Sequence, residues 1–337
     1  SALNFFRILY IYTRLVRGCV FTVVSAFMSS NSLQELLAEV KAYPDGTDLL
    51  ITALYTAVDH FRRGSICTPF PSEVFPPVTT TGNKDFPAVK RALDALPPVH
   101  VLLSDEALAK LPPQALDLLK WLLLNPARQR RFARMSLEDL IRQLRERGGD
   151  LAWLHQALSG QKAPSYILQA QTTNAQASFT RSAIAYHGTR MENLHSIIHT
   201  GLRSMSGTRL QRNGANFGSG IYLSTRYDTA LSFCEPYATW HRSRFGTKQR
   251  ALLVCEVDME KCKHVEEAGS GDAQIPETYL LVSSSDGVRL LYVLLYCDAR
   301  HPPRSLRINP CTVIIVLYIV FLLGKALIEM LKRPRYY

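Results

Sequence analysis

Two short stretches concentrate the residue types that could do chemistry. His187-Gly188 closes the apolar run Ala183-Ile184-Ala185-Tyr186, and Tyr222 ends Phe217-Gly218-Ser219-Gly220-Ile221-Tyr222. An imidazole gives or takes a hydrogen bond, and a tyrosine adds a ring that can stack. Glycine leaves its backbone open to close approach. Each is ordinary alone, since a His before Gly is usually a turn residue and a strand Tyr is usually core. Other chemistries find no support in the sequence: there is no Walker A segment, no G-x-S-x-G elbow and no carboxylate pair on one element. The glycines of 214–220 have the wrong spacing for a dinucleotide fold and lead into a strand, not a helix N-terminus.

The elements around these residues are legible. Ala183 to Tyr186 reads as a buried strand that delivers His187. Thr189 to Glu192 has capping-box spacing. Leu194, Ile197 and Ile198 then form a helical stripe that Gly201 stops. The logic repeats with the strand Gly220 to Leu223, a second box at Thr225 and Asp228, and a helix through Ala230 and Cys234. The two strand-to-helix turns are expected to wall one pocket. Further strands are predicted at Tyr166–Leu168, Ala251–Val257, Thr278–Ser283 and Val288–Tyr296. The last two flank Ser284-Ser285-Asp286-Gly287, a hairpin signal. Little βαβ alternation is visible, so the expected class is α+β with a largely antiparallel sheet.

Upstream the chain reads as helical. Helices are expected from Ser32 to about Pro44, Gly46 to His60, Asp85 to Leu96, Ser104 to Leu111, Gln114 to Leu124 and, capped by Ser136, Leu137 to Arg147. Prolines punctuate them. The expected organisation is a leader or non-native extension over 1–27, a helical domain over 28–160, a site-bearing domain over 161–305 and a transmembrane segment over 311–331. That last stretch is apolar except for Lys325 and Glu329, which are i, i+4 apart and can pair near the headgroups. About 20 helical residues cross a bilayer core. A span six residues from the final residue reads as a post-translationally inserted tail anchor, with the body in the cytosol.

The 337 residues are 47% hydrophobic, enough for real cores, and carry a net charge of +11. The arginines are dispersed and no aromatic–basic platform is visible, so no specific nucleic acid is expected. Seven cysteines without a CxxC pair read as reduced thiols. Cys255, Cys262 and His264 lack a fitting fourth ligand, so no metal is expected.

Taken together, His187-Gly188 and Phe217 to Tyr222 resemble the catalytic domain of the PARP family, the diphtheria-toxin-like ADP-ribosyltransferases. The resemblance runs from about residue 50 to the end and is strongest over 183–296. Upstream it includes Pro69-Phe70-Pro71, Lys84-Asp85-Phe86 and Ala115-x-Asp117-Leu118-x-x-Trp121. It implies NAD as co-substrate, protein acceptors and automodification, with His187, Tyr222 and Tyr279 as the catalytic set. It also implies that Gly188 pairs with the nicotinamide carboxamide and that Tyr222 and Phe233 stack on the ring. His187 would bond a ribose hydroxyl, while Thr189, Asn193 and Arg203 would approach the adenosine or phosphate end. The glycosidic bond would break through an oxocarbenium-like state.

Tyr279 stands where polymerising members place a Glu. A phenol ionises near pH 10 and is a poor base at neutral pH. Transfer of single ADP-ribose units is therefore expected, and chain growth is not. Ala230 replaces a Ser that binds the carboxamide in many relatives, which implies weaker NAD binding. A tail-anchored member of this kind resembles those of the endoplasmic reticulum, although a short basic tail also suits the mitochondrial outer membrane. A catalytically silent sensor of NAD or ADP-ribose is the alternative reading.

Overall fold

The computed structural model describes residues 32–78, 81–126, 130–153, 163–171, 179–204, 220–262 and 278–297. The expected leader, most of the glycine-rich stretch, His264 and the expected span at 311–331 lie outside them. No helix among the described residues is long and apolar enough to cross a membrane.

The upstream helices are α1 (32–42), α2 (Pro44–Asp59), α3 (Arg63–Ile66), α4 (Phe86–Ala95), α5 (Asp105–Ala109) and α6 (Pro113–Leu123). Local chemistry sets their starts. Pro44 and Pro113 open α2 and α6, where the missing N–H costs nothing. The Asp85 carboxylate accepts from Ala88 N at 2.9 Å, and the Ser104 hydroxyl accepts from Ala107 N at 3.2 Å. Helix α2 is the centre of this part. It buries Leu49, Leu50, Ile51, Leu54 and Val58, and also Asp45, Thr47, Asp48, Thr52 and Thr56. Polar side chains are buried because α2 has protein on all sides: α4 and α6, the first strand, and the segment after His187.

The strands are β1 (Arg131–Met135), β2 (Tyr166–Gln171), β3 (Ser182–Thr189), β4 (Ile221–Ser224), β5 (Tyr237–Ala238), β6 (Lys248–Asp258), β7 (Tyr279–Val282) and β8 (Val288–Cys297). They form one antiparallel sheet in the order β1-β2-β8-β6-β3-β4-β7, with β5 added to β6. β6 and β8 are the long central strands. Leu252, Leu253, Val254, Val293, Leu294 and Leu295 are fully buried there, on both faces of the sheet. Helix α7 (Leu137–Glu146), capped by Ser136, packs Leu140 and Leu144 on one side with Trp153, Tyr186 and Tyr227.

Three local expectations are overturned. β1 falls inside the stretch expected to be helical throughout, and it closes the sheet by pairing with β2. Its strand register is set by β2, a partner more than thirty residues away. The Asp286-Gly287 signal makes no hairpin: β7 pairs with β4, while β8 pairs with β2 and β6. A type I′ turn needs positive φ at both central residues, and Gly287 is not among the positive-φ glycines. Instead Ser285–Gly287 is a short 3-10 turn, held by Lys261 Nζ on Asp286 at 2.6 Å. Neither capping box forms. Thr189 stays in β3, and Glu192 turns into the interior 3.6 Å from His60. The Thr225 hydroxyl donates to the Thr278 carbonyl at 3.3 Å, and Arg226 holds the N-cap position.

Polar contacts tie the helices to the sheet. Arg131 makes two bonds to Glu39, at 2.7 and 2.8 Å. Arg242 donates to the Leu96 carbonyl at 2.6 Å, and Asp48 accepts from Ser243 Oγ and from Arg244 N at 2.8 Å. The Thr56 hydroxyl reaches the Met191 carbonyl at 3.1 Å, three residues from Leu194.

Candidate active site

The site begins where β3 and β4 part. Among the described residues they pair only at Tyr186 and Ser224. Beyond that point the His187 ring occupies the gap, and its Nδ1 lies 2.9 Å from the Tyr222 carbonyl. A carbonyl can only accept, so Nδ1 carries the proton and Nε2 is left with a lone pair. Burial holds the His187 pKa below its ordinary value, opposed by that carbonyl, so the neutral ring is favoured. The ring is therefore an acceptor at Nε2, with its orientation fixed by the backbone of the next strand.

Gly188 is required by a close approach. A Cβ there would lie 2.0 Å from the Ala230 carbonyl oxygen and 2.9 Å from Phe233 Cβ. The short helix Tyr227–Leu231 is thus seated directly on the His-Gly corner. Its own anchoring is deep. Trp153 stacks on Tyr227 with centroids 4.3 Å apart, the Tyr227 hydroxyl meets that of Tyr296, and Tyr227 N donates to Asp150 at 3.3 Å. Cys234 follows, donating to the Ala251 carbonyl at 3.0 Å, and burial pushes its thiol up to about 12, which makes it inert. Phe233, between these buried groups, is 44% exposed. An aromatic ring left open beside a bare glycine is suited to a planar ligand.

The third element is β7. Tyr222 pairs with Leu281 and Ser224 with Tyr279. Residues two apart share a face, so Tyr222 and Tyr279 lie diagonally on one face of this ladder, within reach of each other's side chains. Three donors converge on the Thr278 carbonyl just before Tyr279: Ser224 Oγ at 2.9 Å, Thr225 N at 2.9 Å and Thr225 Oγ1 at 3.3 Å.

The structure therefore brings His187, Gly188, Tyr222, Phe233 and Tyr279 to one corner of the sheet. Asn193 is half-buried in the turn Met191–Asn193. Thr189 is only 5% exposed, paired with Ala251 in the sheet, so its side chain is packed in the interior. Arg203 is exposed after Gly201, next to residues that are not described. Ala230 is buried against Gly188, and its methyl supplies no hydrogen bond. Cys255 is fully buried in β6, away from this corner.

Sequence reasoning missed the tie from Ser224 to Thr278 and the ion pair between Arg190 and Glu235. It also missed Asp150, which accepts from Tyr227 N and whose carbonyl accepts from Tyr186 Oη at 2.8 Å. No local pattern marks these groups, because each partner comes from a distant element.

A strand-end His with an oriented ring nitrogen, a glycine under a short helix and an exposed aromatic on an antiparallel sheet make a corner suited to a planar, hydrogen-bonding ligand. Comparison with known proteins supplies the chemistry. Residues 158–290 match the poly(ADP-ribose) polymerase catalytic domain, and residues 38–123 match the ARTD15 N-terminal domain. The chain is similar to protein mono-ADP-ribosyltransferase PARP16 of Mus musculus, with 26% identity over 282 residues, 77% of this chain and 80% of that protein. The Homo sapiens PARP16 is likewise 26% identical, over 284 residues. Protein mono-ADP-ribosyltransferase PARP8 of Mus musculus is 30% identical over 217 residues, 61% of this chain but 24% of that longer protein. Residues 158–290 thus carry a PARP-type catalytic domain, and the chain is an NAD-dependent ADP-ribosyltransferase.

Proposed function

We propose that this chain transfers single ADP-ribose units from NAD to protein side chains, its own included, at the cytosolic face of a membrane. The observation that carries the product assignment is Tyr279 at the head of β7, across from Ser224 and on the face of Tyr222. The corner suits NAD on its own features: the open ring of Phe233 close to Gly188 and the oriented Nε2 of His187. Bound NAD supplies the ADP-ribosyl group and nicotinamide as the leaving group.

The chain's residues position and stabilise. Gly188 backbone groups face the carboxamide, Phe233 and Tyr222 hold the nicotinamide ring, and the cationic ring gains from the aromatic faces. His187 Nε2 accepts from a ribose hydroxyl, a role that needs the neutral tautomer already fixed by the Tyr222 carbonyl. The Tyr279 phenol holds the ribose without acting as a base at neutral pH. Asn193 and Arg203 serve the adenosine and phosphate end; Thr189 acts there only through its backbone. Such a site works by orientation and preorganised polarity, with little acid–base chemistry.

The membrane part of the reading rests on the apolar segment 311–331 and the basic residues Lys332, Arg333 and Arg335 beside it. The organelle proposed is the endoplasmic reticulum, with the mitochondrial outer membrane as the competing destination. Incubating the purified chain with labelled NAD and resolving the products on a gel tests the central statement. A single discrete shift is expected, sensitive to conditions that cleave one ADP-ribose, and a polymer ladder refutes it.

A further inference from the structure

β7 is the last strand of the sheet path, and among the described residues its ladder partner is β4 alone. The ends of a four-residue edge strand open more readily than its middle. Its Val282 end is held by an isolated bridge to Cys262, and there Ser283 N and Oγ both donate to the Lys261 carbonyl at 3.1 Å. The Tyr279 end is held differently. The Thr278 carbonyl receives Ser224 Oγ and Thr225 N, both at 2.9 Å, with Thr225 Oγ1 at 3.3 Å. Ser224 is only 3% exposed and sits directly opposite Tyr279 in the ladder. Its hydroxyl works in both directions: it donates to Thr278 O and accepts from Arg226 N at 3.0 Å.

We infer that Ser224 is a positioning residue for Tyr279, pinning the head of β7 so that the phenol keeps its place beside Tyr222. The inference rests on the ribose-holding role proposed for Tyr279. The reason is geometric. Removing the Ser224 hydroxyl takes the strongest side-chain tie from the peptide that precedes Tyr279, and among the described residues no second strand pairs with the Tyr279 end of β7 to restore it. Thr225 then holds the same carbonyl through its backbone alone and a longer hydroxyl bond. Displacement of a substrate-holding group by even 1 Å can cost roughly 100-fold in rate. A partial loosening of the Tyr279 end should cost less.

The test is a double-mutant cycle on the full chain, with KM for NAD and turnover read from automodification. Ser224→Ala should raise KM for NAD about tenfold while unfolding within a few degrees of the parent. Ser224→Thr, which returns a hydroxyl to the site, should recover most of the loss. Tyr279→Ala should raise KM by a similar or larger factor, and Ser224→Ala/Tyr279→Ala should match Tyr279→Ala alone, because the serine acts through the tyrosine. Multiplying effects in the double variant would overturn the inference, since Ser224 would then act through Arg226 and the helix after it. Unchanged kinetics in Ser224→Ala would overturn it as well. Kinetics indifferent to Tyr279→Ala would sink the role proposed for Tyr279 itself, a separate result. If Ser224→Ala does not fold, Thr225→Val removes the weaker hydroxyl from the same carbonyl at a half-buried position. A rise of about twofold in KM, abolished in the Tyr279→Ala background, supports the inference, and no rise opposes it.

Discussion

Gly188→Ala puts the site's architecture to a direct test. The added methyl would sit 2.0 Å from the Ala230 carbonyl oxygen, where real Cβ contacts essentially never fall under 3.0 Å. The oxygen belongs to helix backbone, so no side chain can rotate away. The segment Tyr227 to Phe233 must retreat by at least the difference between those distances, about 1 Å. Overpacking of this kind costs roughly 1–3 kcal/mol. For a body of this size that lowers Tm by about 2–10 °C. Function should suffer more than stability, because Phe233 moves with the helix and an error of about 1 Å in a positioning group can cost ~100-fold in rate. The assay pairs thermal unfolding with labelled-NAD automodification. A Gly188→Ala protein with parental Tm and labelling within twofold of the parent would refute the claim that the helix rests on the His-Gly corner.

His187→Ala and Tyr222→Phe separate the roles at the strand ends: the first should abolish labelling in a folded protein, and the second should leave the His187 tie intact because that tie uses the Tyr222 carbonyl. Full labelling by His187→Ala would reduce the motif to a turn. Asp48 is held at about 6, chiefly by burial, against an ordinary 3.8. The folded state therefore binds its proton more tightly than the unfolded chain, and stability falls as pH rises from 3.8 to about 6, by about 3 kcal/mol in all, then levels. Asp48→Asn removes the titrating group and should flatten that slope in denaturant unfolding at pH 4.5 and 7, at a pH-independent cost because one amide cannot accept from both Ser243 Oγ and Arg244 N; an unchanged slope would assign the titration to another group. A reporter fused to residues 300–337 should become membrane-bound after synthesis, with the catalytic body open to protease on intact organelles. A protected body, or membrane retention after deletion of 311–337, would dismiss the tail anchor.

The sequence by itself determined what neighbours along the chain can decide. Asp85, Ser104 and Ser136 were readable as helix starts because a cap bonds an amide three residues away. The stripe from Leu194 to Ile198 and the stop at Gly201, with φ of +77°, follow from the same short reach. His187-Gly188 and Tyr222 were readable too, since a strand-end His-Gly and a Gly-x-Tyr are compact patterns. Tertiary structure alone decided the rest. Whether Asp286-Gly287 made a hairpin depended on β4 winning β7 as its neighbour. Thr189, Glu192, Thr225 and Asp228 had the spacing of caps, but Glu192 turned toward His60 and Thr225 toward the Thr278 carbonyl. The demand for glycine at 188 came from a helix more than forty residues downstream. Ladder partners, buried polar ties and close approaches join residues far apart in the chain, and no local pattern encodes which distant backbone will arrive.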